Sequence, residues 1–204
     1  MKSVASYSNQ RVGIFVDVQN LYHSAKNLYG GRVNYRELIR YLVGERQLIR
    51  AMAYVVKSEG IEPQSFDKLR IPSRVEGHSD GGRFAAGHRE SGQGMSSEAA
   101  FFEALEKAGL ELRVKDLQIY AGGMKKADWD VGMAVDAIRM SSFLDVVILV
   151  TGDGDFLPLI DYLKWGVGRF VEVAAFKRSA SSKMQEVADK FISIEEIPRI
   201  IIKK

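Results

Sequence analysis

The sequence predicts an α/β domain with a mostly parallel central sheet covered by helices on both faces. Three observations carry this. Short apolar runs, above all Val12–Val16 and Val146–Val150, have the length and β-branched content of strands buried on both sides. Segments of helical period separate these runs, as parallel crossovers require. The runs also lead into acid-bearing turns, and open α/β sheets place their ligands beyond the carboxyl ends of their strands.

Each element follows in turn. Residues 11–17 read as a buried strand ending in Asp17. Residues 20–29 and 34–43 read as helices, parted by Gly30-Gly31. Residues 47–56 form the second strand. Residues 59–98 then change character: they hold 7 of the 19 glycines and only 9 apolar residues in 40. A segment with so little to bury cannot offset its ordering entropy, so it reads as a flexible insertion. A helix follows over 97–108, stopped by Gly109, then a third strand over 111–120. Residues 128–140 read as a helix with Val131, Ala134, Val135 and Ile138 as its core face. The fourth strand spans 146–151, a helix 156–165, a strand 169–175 and a helix 181–190. The short run 191–194 and a tail over 196–204 close the chain. The domain itself is expected over 10–195.

Composition bounds the function. A chain of 204 residues suffices for one domain with a real core. It has no cysteine, which excludes disulfides, thiolate zinc sites and cysteine nucleophiles and fits a cytoplasmic location. The polar residues 1–10 lack the apolar stretch of a secretory signal. No apolar run approaches the roughly 20 residues of a bilayer span, so no membrane is expected as a partner. A net charge of +3 permits nucleic acid without demanding it.

Thr151-Gly-Asp153-Gly-Asp155-Phe156 is the most informative motif. Two carboxylates so close repel unless a cation lies between them. In a parallel sheet, Asp17 after strand one, Asp128 and Asp130 before the helix that follows strand three, and Asp153 and Asp155 after strand four all face one rim. Each acid also has a plainer role. Asp128, Asp130, Asp153 or Asp155 can cap a helix, and Asp155 is well placed to do so. Asp136, inside its helix, reads equally as a core-edge ion pair or a site residue. Asp17, at the end of a buried strand, is harder to explain without a ligand or polar network. Mg²⁺ or Mn²⁺ prefers such oxygen ligands, and phosphodiester hydrolysis is the chemistry that uses them: a water on the metal is activated and aimed at the phosphorus. Asn20 suits a metal water or a substrate phosphate, and Thr151 suits an Asp or a metal water.

Val16-Asp-Val-Gln-Asn-Leu21, Lys125-Lys-Ala-Asp-Trp-Asp-Val-Gly-Met-Ala-Val-Asp-Ala137 and Thr151-Gly-Asp-Gly-Asp-Phe-Leu-Pro-Leu-Ile160 together resemble the NYN domain. More narrowly they resemble its LabA-like branch, DUF88, of the PIN-like nuclease superfamily. Ala188-Asp-Lys-Phe191 fits the same branch. The resemblance implies a three-layer α/β/α sandwich with an acidic metal pocket and a metal-dependent endoribonuclease activity. It implies Asp17, Asp130, Asp153 and Asp155 as catalytic and metal-holding acids, with Asn20 beside Asp17. Lys-Ala-Asp-Trp-Asp stands where the family often has Lys-Gly-Val-Asp, so Asp128 leaves the helix register open. Threonine at 151 replaces a common serine and keeps its hydroxyl. The expected partner is single-stranded RNA, with a homo-oligomer left open. The alternative is a regulatory or RNA-binding relative without turnover.

Weaker signals surround these. Lys125, Lys126, Lys177, Arg178 and Lys183 fall near the rim or at helix starts; Lys126 in particular is placed to hold an RNA backbone. Tyr22, Tyr29, Tyr35 and Phe156 are stacking candidates, although aromatics at helical spacing are mostly core. Arg70, Arg74, Arg83 and Arg89 in the insertion are offset by seven acids. Gly82–Gly87 has Walker-like spacing, but His88-Arg89 replaces Lys-Ser/Thr and no strand precedes it, so a P-loop is rejected. There is no Gly-x-Ser-x-Gly and no dinucleotide fingerprint. A HAD-type phosphatase would need Asp-x-Asp after strand one, where this chain has Asp17-Val-Gln19.

Overall fold

A computed structural model describes residues 8–57, 97–116, 118–119, 125–126 and 129–203. The sequence-read insertion at 59–98 lies almost wholly outside the described residues, as do Asp128 and the stretch 120–124. In chain order the elements are β1 (Arg11–Asp17), α1 (Val18–Tyr29), β2 (Arg32–Val33), α2 (Tyr35–Val43) and β3 (Gln47–Lys57). After these come α3 (Ser97–Lys107), β4 (Glu111–Asp116), β5 (Gln118–Ile119), β6 (Lys125–Lys126), α4 (Asp130–Ser141) and β7 (Val146–Val150). A 3₁₀ turn over Gly154–Phe156 leads into α5 (Leu157–Asp161) and a π-helical turn over Tyr162–Gly166. The chain ends with β8 (Phe170–Ala175), α6 (Ser182–Val187), β9 (Lys190–Ser193) and β10 (Ile201–Ile202).

Six strands form one sheet in the order β4-β3-β1-β7-β8-β9, every pairing parallel. β1 and β7 are adjacent at its centre, and their strand ends therefore meet. Side chains alternate across the sheet and build two cores. On one face, Ile14, Val16, Ala53 and Ile148 pack against α1, α2 and α3 through Leu21, Leu38, Leu42 and Leu105. On the other, Phe15, Met52, Val147 and Leu149 pack against α4, α5 and α6 through Met133, Ala137, Ile160, Leu163 and Met184. This is a three-layer α/β/α sandwich, and its centre is formed by β1, β7 and β8, which are buried almost throughout.

One charged pair is buried within it. The Arg46 guanidinium, between α2 and β3, bonds both oxygens of Glu172 on β8, at 2.9 and 3.0 Å. Both side chains are almost fully buried. The parallel fork offsets a desolvation that either charge alone would not survive.

Several expectations change. The core face of α4 is Met133, Ala137 and Met140, while Val131 is 75% exposed and Val135 and Ile138 are also exposed. The register is set by two polar anchors on the sheet side: Trp129 Nε1 donates to Val55 O at 2.8 Å, and Tyr54 Oη donates to Asp136 at 3.1 Å. These outweigh the packing of three small apolar side chains. The third strand ends at Asp116, and a short antiparallel β5–β6 pairing follows. The helix read over 181–190 stops at Val187 because Ala188 turns extended, and residues 190–193 join the sheet beside β8. Asp189 fastens that turn by accepting the Val171 N–H at 2.8 Å. Beyond 196, Ile197 and Ile200 enter the core and β10 pairs antiparallel with β2.

Candidate metal centre

The site forms where β1 and β7 end. Asp17, the last residue of β1, caps α1: its Oδ1 accepts the Asn20 N–H at 3.0 Å. Its Oδ2 accepts the Thr151 hydroxyl at 3.2 Å. Thr151 is fully buried, and its Oγ1 in turn accepts the Asp153 N–H at 3.2 Å. Asn20 Oδ1 accepts the Gly152 N–H at 3.0 Å, so this side chain braces the β7 loop. Gly152 keeps that approach open: a Cβ would come within 3.1 Å of Ala180 Cα and Ser179 O. The two central connections are thus laced into one unit before any ligand arrives.

Asp153 Oδ1 accepts the Asp155 N–H at 3.0 Å and starts the 3₁₀ turn. The cap is therefore Asp153, where the sequence favoured Asp155. An Asp held in extended backbone ahead of the turn reaches the second amide on; Asp155, already inside the turn, does not. From α4, in the same helical layer as α5, comes Asp130, its first residue. Carboxylate oxygens of Asp130, Asp153 and Asp155 all lie within 4.8 Å of one another. Asp17 stands outside that triad but borders the same cleft of about 210 Å³, with Gln19, Asn20, His23, Tyr54, Trp129, Asp130 and Asp153. A larger hollow of about 430 Å³ between α5 and α6 contains none of these acids.

Burial pushes the Asp17 pKa above the ordinary carboxylate value, and the charge of Asp153 pushes the same way. Hydrogen bonds from the Asn20 N–H and Thr151 hydroxyl oppose this without cancelling it. The donor set suits a hard divalent cation: it is all carboxylate oxygen, and no Lys or Arg ion pair reaches Asp153 or Asp155 among the described residues. A cluster of three Asp able to hold a divalent metal is therefore present.

The other sequence-read residues are less central. Lys126 sits on β6, with its side chain outside the described residues. Asp136 lies in a network with Tyr54 and Arg113, whose Nε is 3.4 Å away, and does not border the cleft. Tyr35 is buried against Phe101 and Phe156 is buried in the second core, so neither is available for stacking. Tyr29 packs on Phe176. Sequence reading passed over Gln19, His23, Tyr54 and Trp129. Three of them carried a signal: Gln19 and His23 lie four apart, one turn of α1 on the side of Asn20, and Trp129 sits between two acids.

Fold and acid cluster together define a PIN-like α/β/α domain with a candidate divalent-metal site. Residues 11–195 match the NYN domain model, and the chain belongs to the NYN domain family, of the PIN-like nuclease superfamily. Among solved structures, a Vibrio parahaemolyticus protein of unknown function is similar, with 25% identity and a TM-score of 0.73 over 98% of this chain and 100% of that one. No curated protein matches the sequence. Among the described residues, no helix is long and apolar enough to cross a membrane.

Proposed function

We propose that this chain is a Mg²⁺- or Mn²⁺-dependent endoribonuclease of the LabA-like branch, acting on single-stranded RNA. The observation that carries the reading is the convergence of Asp130, Asp153 and Asp155 within 4.8 Å, from two separate connections, beside Asp17. Asp17, Asp130, Asp153 and Asp155 would hold the cation. When bound, it would supply charge for the phosphate and an acidified water for in-line attack. The residues' own tasks are positional. Thr151 keeps Asp17 oriented and its own hydroxyl committed. Asn20 fixes the Gly152 amide and with it the placement of Asp153. Lys126 would hold the RNA backbone. No side-chain nucleophile is assigned.

The deciding experiment incubates the protein with a single-stranded oligoribonucleotide and Mn²⁺ and follows product on a gel. Wild type should cut, and Asp17→Asn, Asp153→Asn and an EDTA control should not. Equal product from the wild type and both variants would overturn the reading. Binding without cleavage above the EDTA control would replace it with that of a regulatory RNA-binding relative.

A further inference from the structure

Trp129 is held from three sides. Its Nε1 donates to Val55 O at 2.8 Å, and its ring meets Tyr54 edge-on with centroids 5.5 Å apart. The ring also lies against Gly132, where a Cβ would come within 2.6 Å of Cε3 and 2.9 Å of Cζ3. The glycine therefore makes room for the indole. Even so, Trp129 is only partly buried and borders the acidic cleft beside Asp130 and Asp153. Lys115 Nζ stands 5.8 Å from its ring centroid.

The opposite helical layer repeats the combination. His23 of α1 is exposed and borders the same cleft. Its ring meets Tyr22 edge-on at 5.5 Å, and Lys26 Nζ lies 5.7 Å from the Tyr22 centroid. Metal-assisted hydrolysis has no use for aromatic rings. Rings with an ammonium beside them, at the mouth of an anionic cleft, are what unpaired bases and their backbone use. A cleft of about 210 Å³ is smaller than the roughly 300–1,000 Å³ of small-molecule pockets, so it suits one flat group beside the acids. Tyr54 is already committed through its hydroxyl to Asp136.

We infer that Trp129 is a base-stacking subsite for the nucleotide adjoining the phosphate at the carboxylates, with His23 the contact on the opposite wall and single-stranded nucleic acid the ligand. The position of that phosphate rests on the nuclease reading above; the stacking does not. Stacking selects unpaired bases over a duplex, because a paired base offers no free face.

The chain has two tryptophans, and Trp165 is 80% exposed, so Trp165→Phe leaves Trp129 as the single indole with little effect on the fold. Its emission is followed as a decaadenylate is added with Ca²⁺ present, alongside the deoxy analogue and a duplex of the same length. Saturable quenching by either single strand, and none by the duplex, is expected. In the wild-type background, Trp129→Leu should weaken oligonucleotide anisotropy binding by about 5–150-fold, and Trp129→Phe should retain most of it. His23→Ala should weaken it less. Oligonucleotide binding with unchanged Trp129 emission, or wild-type affinity in a folded Trp129→Leu protein, would overturn the subsite, as would no binding at all. Should Trp129→Leu fail to fold, the emission titration decides alone. The two readings fail separately: quenching without cleavage keeps the subsite and removes the nuclease, whereas cleavage lost in Asp153→Asn with silent Trp129 emission does the reverse.

Discussion

The Thr151 hydroxyl donates to Asp17 Oδ2 across 3.2 Å and so joins the ends of the two central strands. The same oxygen accepts the Asp153 amide. One buried hydroxyl thus aims one acid and places another. Thr151→Val would keep the shape but remove the bond to Asp17 Oδ2 and the acceptor for the Asp153 amide, leaving Asp17 its bond from the Asn20 N–H. It should cost about 1–3 kcal/mol, lowering Tm by about 2–4 °C per kcal/mol, and weaken Mn²⁺ binding; Thr151→Ser should restore both. Thermal melts and a Mn²⁺ titration check this.

Asp17 predicts a pH dependence. Its pKa is raised in the fold, mainly by burial, so the folded state favours the protonated acid. That contribution is fully present below the ordinary pKa of about 3.9 and is lost as pH rises through the folded value. At neutral pH and without a cation, ionised Asp17 therefore opposes folding. In EDTA at pH 7, Asp17→Asn should melt above wild type, with the difference closing towards pH 4. Added Mg²⁺ should raise the wild-type Tm and leave the variant behind. A wild type that melts higher in EDTA would contradict this account.

The buried Arg46–Glu172 fork predicts a stability effect far from the site. Removing Glu172 leaves Arg46 charged and desolvated, and removing Arg46 leaves Glu172 with only the half-exposed Lys190, 3.8 Å away. Glu172→Ala or Arg46→Ala should cost about 3–5 kcal/mol, read as a shift in the urea midpoint. Arg46→Lys should recover only part, because an ammonium cannot reproduce the two parallel bonds of the guanidinium.

Gly132→Ala should act through its neighbour. The new methyl would meet the Trp129 ring at 2.6 Å, and the ring would have to leave its place over the helix. Trp129 emission should shift and single-strand binding fall, while the Mn²⁺ affinity of the carboxylates changes little. Ala has the better helix propensity, so a helix weakened by the substitution would itself point to the lost ring contact.

The central strands were legible because strands buried on both faces are nearly pure apolar runs, as in Val146–Val150. The acids at their ends could be grouped from topology alone, since parallel strands share a rim. The register of α4 was not legible. Val131, Val135 and Ile138 mimic a core face, and the anchors that turn them outward, Val55 O and Tyr54 Oη, belong to a strand more than 70 residues earlier in the chain. The capping by Asp153 in place of Asp155 was hidden for a related reason. It depends on backbone angles that the spacing alone does not fix.

The parallel order of the sheet has a consequence for synthesis. The acids that meet at the rim come from connections after β1, before α4 and after β7, so contacts across more than 100 residues must close before they share a cleft. Such long-range closure is slow and comes late in folding. A chain still on the ribosome has no assembled acid cluster until Asp155 has emerged and β7 has docked beside β1. On the proposed ribonuclease reading, no cutting site exists while the residues ahead of Asp155 are being made.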